Sequence, residues 1–173
     1  MWTRPLTTTL LIAATAAAVP AQHAPADLSP AVAEAVRRCP QHTIFDDVRA
    51  SVAGETVTLT GVVTSTLKRT QIETHLASVA GVRHVVNRIE VLPGSARDAD
   101  LRQRAAQALY GHASFWRYAA MPSPPIHIIV RDADILLTGT VTSDLERVLA
   151  QRLARVEGAL GVRNELVVKA PER

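Results

Sequence analysis

The stretch VTLTGVVTS, residues 57–65, decides the fold of this chain, because it recurs as ILLTGTVTS at residues 135–143. Each copy is followed by a second matching stretch, VAGVRHVVNRIEV at 79–91 and VEGALGVRNELVV at 156–168. The first pair of stretches lies 78 residues apart and the second pair 77, so the later copy is one residue shorter between them. Two matched blocks at nearly one offset indicate an internal duplication.

Both copies predict the same order of elements. A helix comes first, with Ser29 or Ser95 as its predicted N-cap residue. Two strands of alternating hydrophobic residues follow around a tight turn, and a second helix, capped by Ser65 or Ser143, leads into a last strand. The predicted fold class is α+β, with two tandem α-β-β-α-β modules. Each module is a small three-stranded mixed sheet with two helices packed on one face.

Four glycines have predicted structural roles in the repeat. Gly61 and Gly139 are expected directly after the second strand, where the backbone needs freedom or a close approach. Gly81 and Gly158 are expected to end the second helix. The buried side of that helix is predicted to carry Ile72, Leu76 and Val79 in the first copy and Leu145, Leu149, Leu153 and Val156 in the second.

The N-terminal residues differ in composition from the rest. Arg4 precedes a short apolar run, and small residues lead up to Ala21, which is the pattern of a secretory signal peptide cleaved near Ala21. The predicted organisation is a signal peptide at 1–21, a first domain at 27–93 and a second at 94–170. Domains of this size bury only about 60% of their unfolded surface, so we expect the two copies to pack together. The predicted location is periplasmic or secreted.

Composition excludes several classes of function. A net charge of +3, with acids and bases interspersed, does not indicate nucleic-acid binding. The single cysteine, Cys39, allows no internal disulfide and is expected to be a small buried residue. The six histidines match no zinc motif, and the carboxylate pairs Asp46/Asp47 and Asp98/Asp100 are explained by caps and turns. We therefore predict no catalytic residue, no metal and no cofactor.

One segment of the second copy is distinctive. Four of the five aromatic residues beyond the leader fall within residues 110–118, and the candidate ligand-binding residues are Phe115, Trp116, Arg117 and Tyr118. Aromatic rings beside a cation suit a membrane interface or a protein-binding hot spot. The alternative is that these rings cover the small core of the second module or fill the seam between the modules.

The repeated stretches resemble the BON domain, a module of bacterial envelope proteins. The resemblance rests on VTLTG ending at Gly61, on its counterpart ending at Gly139, and on GVRHVVN at 81–87. It covers about residues 27–170, and the second copy departs from it at Ala159, where a valine is expected. The resemblance implies an α-β-β-α-β fold, a periplasmic or envelope setting, a binding role often proposed to involve phospholipid, and no catalytic residues.

The predicted function is a non-catalytic periplasmic, envelope-associated binding protein. Its candidate partner is anionic phospholipid or a membrane surface, in support of envelope integrity or osmotic stress tolerance. The alternative is a protein–protein interaction module that binds an envelope protein. Single-stranded nucleic acid is disfavoured, because its open-sheet sites need stacking aromatics and these strands carry aliphatic residues and Thr.

Overall fold

The computed structural model describes residues 27–169, so the predicted leader and its cleavage site lie outside the described residues. The first unit contains α1 Ser29–Arg38, β1 Asp47–Ala53, β2 Thr56–Val63, α2 Thr66–Ala77 and β3 His84–Val91. The second contains α3 Ala96–Tyr110, α4 Trp116–Ala119, β4 Ile126–Arg131, β5 Asp134–Val141, α5 Asp144–Leu153, β6 Gly161–Asn164 and β7 Val167–Val168. Apart from the short α4, both units have the predicted α-β-β-α-β order, and the predicted fold class is confirmed.

Each unit is built on a small mixed sheet with its second strand in the centre. β2 pairs antiparallel with β1 and parallel with β3. β5 pairs antiparallel with β4 and parallel with both β6 and β7. The registers of β6 and β7 continue one another, so together they form one edge strand that is interrupted at residues 165–166.

Strand alternation separates a helix-covered face from an open face. The covered faces hold the buried residues of the central strands, which are Val57, Leu59 and Val63 in β2 and Ile135, Leu137 and Val141 in β5. These side chains belong to two separate hydrophobic cores, one in each unit. Cys39 is buried in the first core, as the sequence predicted.

Gly61 and Gly139 occupy the same place in the two units. Both lie inside the central strand rather than after it, which corrects the predicted position. Their φ angles are +112° and +106°. A Cβ atom would lie 1.9 Å from the carbonyl oxygen of Asp47 in the first unit and 1.9 Å from that of Pro125 in the second. The predicted close approach therefore exists in both.

The helix boundaries confirm three of the predicted caps and correct one. Ser65, Ser95 and Ser143 each accept a hydrogen bond from the backbone N–H three residues later. Ser29 is not an N-cap: it is the first residue of α1, and its N–H donates to the carboxylate of Asp27. The side chain two residues upstream therefore satisfies this exposed amide.

The second helices also end earlier than predicted. α2 ends at Ala77 and α5 at Leu153, and turns connect them to Gly81 and Gly158. Gly81 and Gly158 keep positive φ angles within those turns and do not cap the helices. Leu145 was predicted to be buried but is 76% exposed, because α5 packs through Ala150 on a different side.

The two units contact each other, as expected for modules of this size. Phe45, from the loop between α1 and β1, packs against the core of the second unit. The N–H of Ile128 in β4 donates to the carbonyl of Ile44 over 2.7 Å, and Arg131 forms an ion pair with Glu90 at 2.9 Å. Between the open sheet faces lies a cleft of about 1100 Å³, lined by residues of both units.

Candidate functional site

The four candidate residues lie in the connection between α3 and β4. A 3-10 turn, Ala113–Phe115, runs directly into α4, Trp116–Ala119. The ring of His112 accepts the N–H of Ser114 and starts this turn. The helix stops before a segment that carries Pro122, Pro124 and Pro125, residues that cannot continue a helix.

Local helical geometry divides the four candidates into two pairs. Phe115 and Tyr118 lie three residues apart, on the inner side of the turn, and both are buried in the core of the second unit. Their ring centroids are 6.0 Å apart. These two rings therefore complete the second core, which was the alternative reading of the segment, and they are not placed to meet a ligand.

Trp116 and Arg117 lie on the outer side. Trp116 is 63% exposed, and its Nε1 donates to the carbonyl of Gly111 over 3.2 Å, which fixes the ring against the end of α3. The Arg117 side chain is half-exposed. Met121, two residues beyond α4, is also exposed. Trp116, Arg117 and Met121 are called the outer segment below.

Glu146, in the first turn of α5, fixes the outer segment to that helix. Its carboxylate accepts hydrogen bonds from the Tyr118 hydroxyl (2.7 Å), from the N–H of Thr142 (3.0 Å) and from Arg117. Partial burial opposes ionisation, but these hydrogen bonds and the charge of Arg117 hold the pKa of Glu146 below its ordinary value. The charge of Arg117 is thus largely balanced within the protein.

The first unit has an equivalent carboxylate-centred cluster, in which a cation occupies the helix position of Glu146 and the carboxylate comes from the loop before β1. Thr64 is equivalent to Thr142, and its N–H donates to the buried carboxylate of Asp46 over 3.0 Å. Lys68, at the position of Glu146, donates to Asp46 over 2.7 Å. Burial alone would raise the pKa of Asp46, but hydrogen bonds from Lys68 and Thr43 hold it below its ordinary value.

Within residues 27–169 no group of three or more His, Cys, Asp or Glu side chains is arranged to hold a metal ion. Over the same residues, no helix combines the length and apolar character needed to span a bilayer. The outer segment carries groups suited to binding: the indole of Trp116 and the thioether of Met121 can make apolar contacts, and the guanidinium group of Arg117 can donate hydrogen bonds.

Comparison with known proteins supplies a family. The sequence matches the family described as BON domain over residues 37–93 and again over 97–170. No curated protein matches the sequence. Among solved structures, CdsD, a structural protein of the type III secretion system of Chlamydia trachomatis, is 15% identical, with 84% of this chain and 94% of that chain covered and a TM-score of 0.31. The C-terminal domain of CdsD gives 15% identity, coverage of 83% and 98%, and a TM-score of 0.32.

Proposed function

The chain belongs to the BON domain family, with two tandem copies, and we propose that its second unit contacts the surface of anionic phospholipid. BON domains are generally non-enzymatic binding domains, and the proteins that contain them are periplasmic or envelope-associated. The proposed signal peptide, cleaved near Ala21, would deliver the protein to the periplasm. There the proposed role is to support envelope integrity or osmotic stress tolerance.

The exposure of Trp116 carries this proposal. It is the only Trp of residues 27–169, and 63% of it faces solvent although indole is among the side chains that gain most from leaving water. Trp is enriched at the level of lipid headgroups, where its ring is partly buried and its polar edge stays hydrated. Met121, five residues later, adds further exposed apolar area, and the exposed part of Arg117 can contact a phosphate although its charge is paired with Glu146.

Sedimentation with vesicles tests the proposal. We expect the protein to pellet with phosphatidylglycerol-containing vesicles and to remain in the supernatant with pure phosphatidylcholine. Trp116→Ala should weaken the partition about tenfold, which corresponds to about 1.4 kcal/mol. Leu67→Ala, which removes an equally exposed apolar residue from the first unit, is the matched control and should pellet like wild type. Equal pelleting of wild type and Trp116→Ala would exclude a lipid contact at this segment.

Fluorescence provides an independent readout at the same residue. Trp2 lies in the proposed signal peptide, so full-length protein carries the substitution Trp2→Phe and its emission comes from Trp116 alone. We expect a blue shift with anionic vesicles and none with the soluble headgroup glycerol phosphate. A shift of equal size with both would indicate a headgroup effect without membrane contact.

A second candidate function, a protein-interaction module of an envelope assembly, is favoured by the outer side of α5. Leu145 is 76% exposed and Val148 is 59% exposed, and their spacing places them on one side of the helix. This function predicts that Leu145→Arg abolishes a specific crosslinked adduct in the envelope fraction and leaves vesicle binding unchanged. Loss of vesicle binding in Leu145→Arg would argue for lipid contact instead.

A further inference from the structure

Two histidines from different units meet at the boundary between them. His42 belongs to the loop between α1 and β1, and His127 to β4. Their ring centroids are 5.1 Å apart. The Nε2 atom of His42 and the Nδ1 atom of His127 are buried and have no hydrogen-bond partner among residues 27–169. Each half-buried ring therefore has one buried nitrogen whose hydrogen-bonding capacity is not satisfied, which is costly for a polar group.

The pair lies inside the contact that joins the units. Residues 42–46, called the bridging loop, carry Ile44, whose carbonyl accepts the Ile128 N–H of β4 over 2.7 Å. The next residue, Phe45, packs against the second core. Because Ile128 follows His127 directly and Ile44 lies two residues after His42, the histidine pair and this hydrogen bond join the same two segments.

The surrounding charges are few. Asp46, Asp47 and Lys68 influence His42, and the same two carboxylates influence His127. Asp46 is already engaged by Thr43, Thr64 and Lys68, and Asp47 by Arg49. Burial lowers the pKa of each histidine, and the neighbouring His127 lowers that of His42 further. The carboxylates of Asp46 and Asp47 raise both pKa values, and hydrogen bonding to the backbone of Thr43 and Asp46 raises that of His127, without reversing either shift.

We propose that His42 and His127 form a pH-sensitive latch between the two units, closed when both rings are neutral and opened when they are protonated. The released unit binds protons more readily than the closed one, so the closed state is at full strength above about pH 6.5, the ordinary histidine value, and weakens as the pH falls below it. Opening separates the bridging loop from the edge of β4 and widens the cleft between the sheets.

Hydrogen exchange at one amide tests the latch on the full protein. With rates corrected for intrinsic exchange, we expect the Ile128 amide to lose protection about tenfold or more between pH 7.5 and pH 5.0. The amides of Leu59 and Leu137, in the central strands of the two sheets, should keep theirs. Unchanged protection of Ile128 across this range would overturn the proposal.

Two variants test whether the pH dependence of Ile128 protection comes from His42 and His127. In His42→Gln/His127→Gln, protection of Ile128 should no longer depend on pH, whereas His84→Gln, which replaces an exposed histidine of β3, should behave like wild type. The same pH-dependent loss in the double variant would overturn the latch.

Histidine titration in the wild type covers the case in which the double variant is already open at pH 7.5. By NMR, the latch requires His42 and His127 to titrate below about pH 6.5, the ordinary histidine value, and together with the loss of Ile128 protection. Titration of the pair at or above that pH would overturn it.

Discussion

At the scale of single residues, Gly61 and Gly139 show why the repeat preserves a glycine in its central strand. A carbonyl oxygen of the neighbouring strand occupies the position that a Cβ atom would need, at 1.9 Å in both units. Each glycine also has a φ angle above +100°, a region that side-chain-bearing residues rarely adopt. The lack of space for a side chain and the positive φ angle therefore each require glycine at these two positions.

A glycine series tests this requirement. Gly61→Ala and Gly139→Ala should each lower the free energy of unfolding by at least about 3 kcal/mol, because the methyl group forces β2 from β1 or β5 from the residues before β4. Gly54→Ala, at φ +59° with open space around it, should cost about 1 kcal/mol. Gly94→Ala, with no atom within 4 Å, should change stability by less than about 0.5 kcal/mol. Urea unfolding followed by circular dichroism measures all four, and equal losses in the series would contradict the steric explanation.

At the scale of elements, α3 holds the turn between β4 and β5. Asp132 and Ala133 form this turn with φ angles of +52° and +65°, which is unfavourable for residues other than glycine. The buried carboxylate of Asp98 accepts the N–H groups of both residues, at 3.1 and 2.9 Å. Arg102, one helical turn later, donates to the carbonyl of Val130 over 2.8 Å. The helix thus stabilises a strained hairpin through two side chains.

The substitution Asp98→Asn measures how much the hydrogen bonds of Asp98 to the turn contribute to stability. An amide side chain can accept only one of the two N–H groups and turns its own donor toward the other, so we expect a loss of about 1–3 kcal/mol in unfolding free energy. Asp100→Asn, which changes the exposed partner of Arg104 on the same helix, should cost less than about 0.5 kcal/mol. Thermal unfolding of the two variants provides the comparison, and equal midpoints would argue against a clamp.

At the scale of the whole molecule, Phe45 couples the two units. It belongs to the first unit by sequence, and its ring packs against the core of the second. Beside it run the Ile44–Ile128 hydrogen bond and, further along β4, the Glu90–Arg131 ion pair. Because an exposed ion pair contributes less than about 1 kcal/mol, the aromatic contact should dominate the coupling.

Phe45→Ala should therefore separate the unfolding of the two units. We expect a loss of about 2 kcal/mol, below the range for a fully buried Phe because this ring is only partly buried, and a urea transition that divides into two steps. Val86→Ala, which shortens an exposed side chain of β3, should leave the transition intact. A single transition in Phe45→Ala at the wild-type midpoint would show that the units are coupled by other contacts.

Much of the fold could be predicted from the sequence, because its signals are local. The duplicated stretches gave the element order, hydrophobic alternation gave the buried strand positions, and Ser65, Ser95 and Ser143 marked helix starts through bonds to amides three residues away. The candidate site was predicted only as a segment. Which of its rings are exposed depends on the side of a short helix that faces the core, and the residues of this segment alone do not specify that side.

The sequence by itself determined the duplication, the α+β class and the close backbone approach at Gly61 and Gly139, but not that both glycines lie inside the central strand. Tertiary structure alone decided that Phe115 and Tyr118 are core residues, that Leu145 is exposed, that Glu146 holds Arg117 and that Phe45 enters the other unit. The physical reason is the distance along the chain over which each property is determined. Backbone conformation depends on neighbours within a few residues, whereas the solvation and pairing of a side chain depend on whichever distant element packs against it.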